Sequence, residues 1–334
     1  MNIIELLNVP TEKHDINWLR HALQWAIQLE LSTIPPYLCA MWSIKSQSQY
    51  AYGSIYEIVI EEMVHLGLAC NLLTTIGGMP KINTPNEVPK YPGGLPGGIN
   101  KGFTISLTAY SKEQLEKFLE IEHPKHTPIE LTISEDEEFR TIGDFYDAIN
   151  EAFKNLSPTD FTGERQLTGD GWFDKILNQT DAENAIRKIQ RQGEGTEMSP
   201  EDVDNIDDLA HFYRFRELIR GHKFIRNPDP TSPDIWIDDP APLQVPTDKD
   251  LYQMAEIPAG GYPESREFDL IYTELLNTLQ KAWETNDDTI WGDAIYNLMR
   301  QLTKKARELM QIPIDKNDLS KGTFGPSFLL ISDD

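Results

Sequence analysis

The stretch "IYEIVIEEMVHLGLACNLL", residues 55–73, decides how this chain is read. Its apolar positions Ile55, Val59, Leu66, Ala69 and Leu73 recur at helical spacing. The pattern covers about 51–77 and stops at Gly77-Gly78, where glycine accepts the left-handed turn that closes a helix. Yet the middle of this apolar helix carries Glu61, Glu62 and His65. Glu62 lies on the apolar stripe, and a buried ionised carboxylate requires a cation, a hydrogen-bond network or a proton. Glu62 and His65 are three residues apart and share a face. Such a pair on an inward helix face suits a metal, with the carboxylate able to bridge two ions and the imidazole to terminate one. Alone, it suits an ion pair equally well.

The neighbouring segments change the balance. Over about 14–46 the positions Leu19, Leu23, Ala26, Leu29, Thr33 and Ile34 form a long helix, with Asp15 as its N-cap. Glu30 is four residues past Ala26 and so projects from the core face. Pro35 and Pro36 fall inside this helix and predict a kink or local unwinding just after Glu30. Asp208-Leu-Ala-His211 repeats the carboxylate-x-x-His spacing on a helix read over about 200–223, whose stripe continues through Phe215 and Leu218. Glu194 in "QGEG" is the candidate for a lone carboxylate from a helix over about 180–194. It is out of phase with Ile189; a π-bulge at Gly193 and Gly195 would correct that, and a simple turn is the plainer reading. Further helices are read over about 265–283 and 289–311.

Between the second and third bundle helices, residues 79–179 read as a loop-rich insertion. "PKINTPNEVPKYPGGLPGGIN" (80–100) is rich in Pro and Gly, and "FTISLTAY" (103–110) alternates as a half-buried strand does. Ser111 and Gln114 then open a short helix through Leu119 as a capping box, and another helix fits 142–156. Residues 227–263 hold eight prolines and read as loop, and "GTFGPSFLLISDD" as a tail. The expected fold is mainly α: one domain, a helical bundle with a mixed α/β insertion.

Several stretches together resemble the ferritin-like domain of the iminophenyl-pyruvate dimer synthase type, found in bacterial bisindole (violacein and rebeccamycin) biosynthesis. They are "LELSTIPPYLCAMWSI", "IEEMVHLGLACNLLTTIGGMP", "YPGGLPG", "LEKFLEIEHP", "TIGDFYDAI", "AIRKIQRQGEG", "LAHFYRFRELIRG" and "GPSF", in order along nearly the whole chain. The resemblance implies a ferritin-like bundle and metal-ligand roles for Glu30, Glu62, His65, Glu194, Asp208 and His211. Glu is the commoner residue in that pattern at position 208; Asp is one methylene shorter, so this ligand reaches one metal only or acts through water.

The remaining charged and aromatic residues have quieter readings. Glu61 is a surface ion pair or a group outside the ligands. Glu217, between Arg214 and Arg220, reads as a buried ion pair before a ligand, and Tyr37 as a core tyrosine that could also donate a hydrogen bond to the site. His21, His123, His126 and His222 read as solvated.

A net charge of −24 argues against partners that require clustered cations, so nucleic acid and anionic membrane surfaces are not expected. No leader pattern or membrane helix is read, and Cys39 and Cys70 sit in apolar helices, which points to the cytoplasm. The expected function is a metal-dependent oxidoreductase holding one or two irons, or manganese. Its partners would be a small organic substrate and dioxygen or peroxide, with a homodimer compatible. The alternatives are metal storage or peroxide disposal, and a metal-free binding or scaffold module.

Overall fold

The computed structural model describes residues 1–124, 141–195, 199–201, 209–229, 231–232 and 235–331. Asp208 and His126 lie outside the described residues. Two long helices form the centre: α2 (Ile16–Ser43), preceded by the short α1 (Ile3–Leu7), and α3 (Tyr50–Thr75). Asp15 caps α2 by accepting from the Asn17 and Trp18 amides. Only a short connection joins α2 to α3, and Arg20 near the start of α2 donates to the Ile76 carbonyl just past the end of α3, so the pair is antiparallel. Every residue of α2 from Ala26 to Ser43 is buried.

On one side of this pair pack α4 (Lys112–Ile121), α5 (Ile142–Lys154), α6 (Gln179–Glu194) and α7 (His211–Arg220). On the other side lie α8 (Arg266–Thr285), α9 (Asp288–Asp293) and α10 (Met299–Leu309), the last two joined by a π-turn over Ala294–Leu298. Arg307 of α10 donates to the carbonyls of Trp42, Ile44 and Lys45, satisfying acceptors that the end of α2 leaves without intrahelical partners. An apolar cavity of about 40 Å³ remains between α2–α3 and this layer, lined by Leu31, Ile34, Met63, Leu66 and Leu276 among others. The chain's last segment closes that side: Phe328 packs against Trp42, Phe268 and Tyr272, while Asp269 accepts from the Ser327 hydroxyl (2.8 Å) and the Leu329 amide (3.0 Å).

Four expectations are corrected. First, α2 runs through Pro35 and Pro36 without a break in its helical assignment. The Ser32 carbonyl, deprived of its i+4 donor by Pro36, is taken by the Tyr91 hydroxyl at 2.7 Å. Second, residues 103–110 form no regular strand. Burial alternates as read, but the only ladder contact is an isolated bridge between Gly93 and Ile105, and the other groups find scattered partners in Ser43, Gln114 and Ile257. Third, the sheet among the described residues is a two-stranded antiparallel pair: β1 (His222–Arg226) starts within the end of the helix read over 200–223, and β2 (Trp236–Pro242) lies in the stretch read as loop. Pro240 and Pro242 are tolerated because β2 is an edge. Fourth, where one helix is read over 200–223, α7 starts at His211 with the non-helical Ala210 as its N-cap, and it ends at Arg220.

By length and apolar composition α3 could cross a membrane, but 89% of the qualifying window is buried inside the bundle, where it serves as a core helix. Cys39 and Cys70 are free and buried.

Candidate metal centre

Helical phase brings three ionisable side chains to the interface of α2 and α3. Glu30, Glu62 and His65 are each no more than 5% exposed. His65 Nδ1 lies 3.6 Å from Glu30 Oε2 and 3.8 Å from Glu62 Oε1. From the far side α7 contributes His211 at its first position, fully buried, with Nδ1 2.9 Å from the same Glu62 Oε1. Glu122, the C-cap of α4, places Oε2 3.6 Å from that Nδ1. Two groups result, Glu30–Glu62–His65 and Glu62–Glu122–His211, sharing Glu62. The imidazole rings lie 5.5 Å apart at an interplanar angle of 26°.

The carboxylates are held alike. Each has one oxygen tied to a hydroxyl and the other turned to an imidazole Nδ1. Tyr146 donates to Glu30 Oε1, Thr33 to Glu62 Oε2 at 2.7 Å, and Tyr37 to Glu122 Oε1 at 2.6 Å. Burial, with the neighbouring carboxylates, pushes the Tyr37 and Tyr146 hydroxyls well above the usual phenol range, so both remain donors. The histidines are held from behind, His65 by Nε2 to Gln192 Oε1 and His211 by Nε2 to Glu61 Oε2, both at 2.8 Å. With Nε2 committed to these acceptors, Nδ1 is the ring nitrogen that faces inward, the one a metal would take on losing its proton.

Electrostatics shows what the cluster lacks. Burial, then the Glu122 charge, raises the Glu62 pKa, while the two imidazoles pull it down. For His211, burial disfavours the charged form, but Glu122, Glu61 and Glu62 outweigh it and hold the pKa well above the ordinary value; His65 is raised in the same way by Glu30 and Glu62. Although His211 Nδ1 is 2.9 Å from Glu62 Oε1, it has no well-formed hydrogen bond. A buried imidazole nitrogen without a hydrogen bond, among inward carboxylate oxygens, fits a divalent metal. The set of carboxylates and imidazoles suits iron or manganese.

The other sequence candidates are placed as follows. Glu194 ends a regular α6 with no π-bulge, half-buried at the rim of a cavity of about 30 Å³ that Glu30, Glu62, His65 and Glu122 also line. Its carboxylate packs against Gly143, where any Cβ would collide with it, and it joins neither ligand group. Glu61 is behind His211, with its pKa held at about 2: burial opposes this, and the His211 hydrogen bond and Arg214 override it. Glu217 is away from the centre, accepting from the Tyr50 hydroxyl (2.7 Å) and the Phe224 amide (2.6 Å); Arg214 pairs with Glu61 and Arg220 with Asp238 instead.

Sequence reasoning missed Glu122, Tyr146 and Gln192. A signal existed for each. Glu122 follows Leu115 by seven and Phe118 by four, Tyr146 lies between Ile142 and Ile149, and Gln192 follows Ile189 by three, all in phase with buried stripes.

Carboxylates and histidines converging from several helices on the middle of a bundle define the ferritin-like class of proteins. The chain belongs to it: the family model described as Ferritin-like matches residues 23–220. Among solved structures it is similar to a ferritin-like protein from Caulobacter vibrioides, at 22% identity and a TM-score of 0.60, covering 86% of this chain and 93% of that one. No curated protein matches the chain.

Proposed function

We propose that the protein is a non-haem iron oxidase or oxygenase, of the di-iron kind, acting on a small organic molecule. The likeness to the iminophenyl-pyruvate dimer synthase type suggests an amino-acid-derived imine or aromatic, with dioxygen or peroxide as co-substrate. The observation that carries this reading is the sharing of Glu62 between two buried carboxylate–imidazole groups. Glu30 and His65 would hold one ion, Glu122 and His211 the other, with Glu62 between them. When bound, iron would supply the redox chemistry that no side chain here can provide.

The chain's own residues perform the rest. Thr33, Tyr37 and Tyr146 fix one oxygen of each carboxylate, so the opposite oxygens cannot rotate away from the centre. Burial of every ligand excludes bulk water and strengthens the interactions inside. Access is by the cavity whose rim includes Ile142, Gln190, Gly193 and Glu194.

The test is metal analysis of protein expressed with excess iron and manganese, beside Glu62→Ala. Up to two equivalents are expected in the parent and loss of both in the variant, because Glu62 serves both groups. Less than about half an equivalent in the parent, unchanged by the substitution, would refute the reading.

A further inference from the structure

The two histidines are oriented by chemically different groups. Behind His211 stands a carboxylate, Glu61, which also takes two hydrogen bonds from Arg214 at 2.9 and 2.7 Å. Behind His65 stands a neutral amide, Gln192. Both accept the Nε2 proton and so select the same tautomer. They differ in pull: a charged acceptor draws that proton more strongly than an amide oxygen does and makes the opposite nitrogen a better donor. Exposure divides the same way, since His65 lines the open cavity and His211, fully buried, does not.

We propose that Glu61 and Gln192 are positioning residues that make the centre unequal by construction. The half formed by Glu62, Glu122 and His211 takes metal first and holds it more tightly. The half formed by Glu30, Glu62 and His65 fills second, binds more weakly, and is the one that faces incoming molecules. This rests on the metal-centre reading above. Neither outer residue touches the metal positions, and each acts through its histidine. The asymmetry is a property of the fold, because Glu61 is adjacent to Glu62 on α3 while Gln192 arrives from α6.

The test titrates metal-free protein with Mn(II), following free Mn(II) by its electron paramagnetic resonance signal. The parent should bind in two steps whose affinities differ by about tenfold or more. Glu61→Gln should weaken the tighter step about tenfold and leave the weaker one in place, and Glu61→Asp should restore part of the loss. Gln192→Glu should strengthen the weaker step, a gain that damage to the fold would not produce. Two equal steps in the parent, equal weakening of both by Glu61→Gln, or no gain from Gln192→Glu would each overturn the inference while leaving the metal centre standing. No Mn(II) bound by the parent would remove the metal centre and the inference with it.

Discussion

Replacing Glu122 by glutamine isolates one half of the centre. Glutamine keeps an oxygen for the Tyr37 hydroxyl, 2.6 Å away, and nearly the same volume, but removes the charge 3.6 Å from His211 Nδ1. In metal-free protein two effects oppose each other. The like-charge push on Glu62 disappears, and so does the attraction that favours a charged His211. The net change in unfolding free energy should stay within about 1 kcal/mol. With metal the cancellation ends. Each filled half stabilises the native state by RT ln(1 + [M]/Kd), about 2.7 kcal/mol at a hundredfold excess over Kd. With metal a hundredfold above the Kd of the weaker half, and so about a thousandfold above that of the tighter one, the parent gains about 7 kcal/mol and the variant, left with the weaker half, about 3 kcal/mol. Denaturant unfolding with and without Mn(II), together with a count of bound metal, measures both quantities. A Glu122→Gln protein that still binds two equivalents and keeps the full metal-induced stabilisation would place Glu122 outside the centre.

Two predictions concern the scaffold. Burial holds the Asp269 pKa at about 6, against 3.8 ordinarily, despite hydrogen bonds from the Leu329 amide, the Ser327 hydroxyl and the Phe328 amide. A raised carboxylate contributes stability that is fully present below the unfolded value and is lost as pH rises through the folded one. The parent should therefore lose about 2.4 kcal/mol relative to Asp269→Asn between pH 4 and 7; a difference that stays flat over that range in parallel denaturant titrations counts against it. Asn71, fully buried, donates to the Leu167 and Asp174 carbonyls and accepts from the Leu167 amide and the Trp283 indole. Asn71→Leu leaves those groups without partners and should destabilise by about 4 kcal/mol; a loss under about 1 kcal/mol in chemical denaturation would mean that water replaces the amide freely.

The central pair of helices was legible because chemistry and periodicity agree there. Glu30, Glu62 and His65 stand on apolar stripes, and a buried charge on such a stripe is conspicuous. The opposite side was harder for a local reason. Reading α4 as ending at Leu119 rather than Ile121 put Glu122 in a loop, although its phase with Leu115 and Phe118 is as good as that of Glu30 with its own stripe. The same rule would have found it with the boundary two residues later. At His211 the opposite error occurred. Ser199-Pro200 is a good helix-start signal and places the beginning of this helix there, whereas Ala210 is non-helical and α7 starts after it. β2 was hidden by its prolines, which argue against strands generally but not on an edge whose amides need no partner, and the start of β1 by the helix read through 223. Uncharged hydrogen-bonding groups such as Gln192 and the Tyr146 hydroxyl carry little sequence signal, because amides and phenols occur in cores without any metal nearby.

The burial of α2 along Ala26–Ser43 has an implication for mutational tolerance. A helix at the rim of a bundle keeps a solvent face where substitutions are nearly neutral. This one has the candidate metal site on one side, the apolar cavity and Phe328 on the other, and α3 along its length. A saturation library across these positions should show no helical repeat of permissive sites. It should show two interleaved sets of intolerant ones, distinguished by what is lost: metal content at Glu30, Thr33 and Tyr37, and folded protein at Leu31, Ile34 and Leu38.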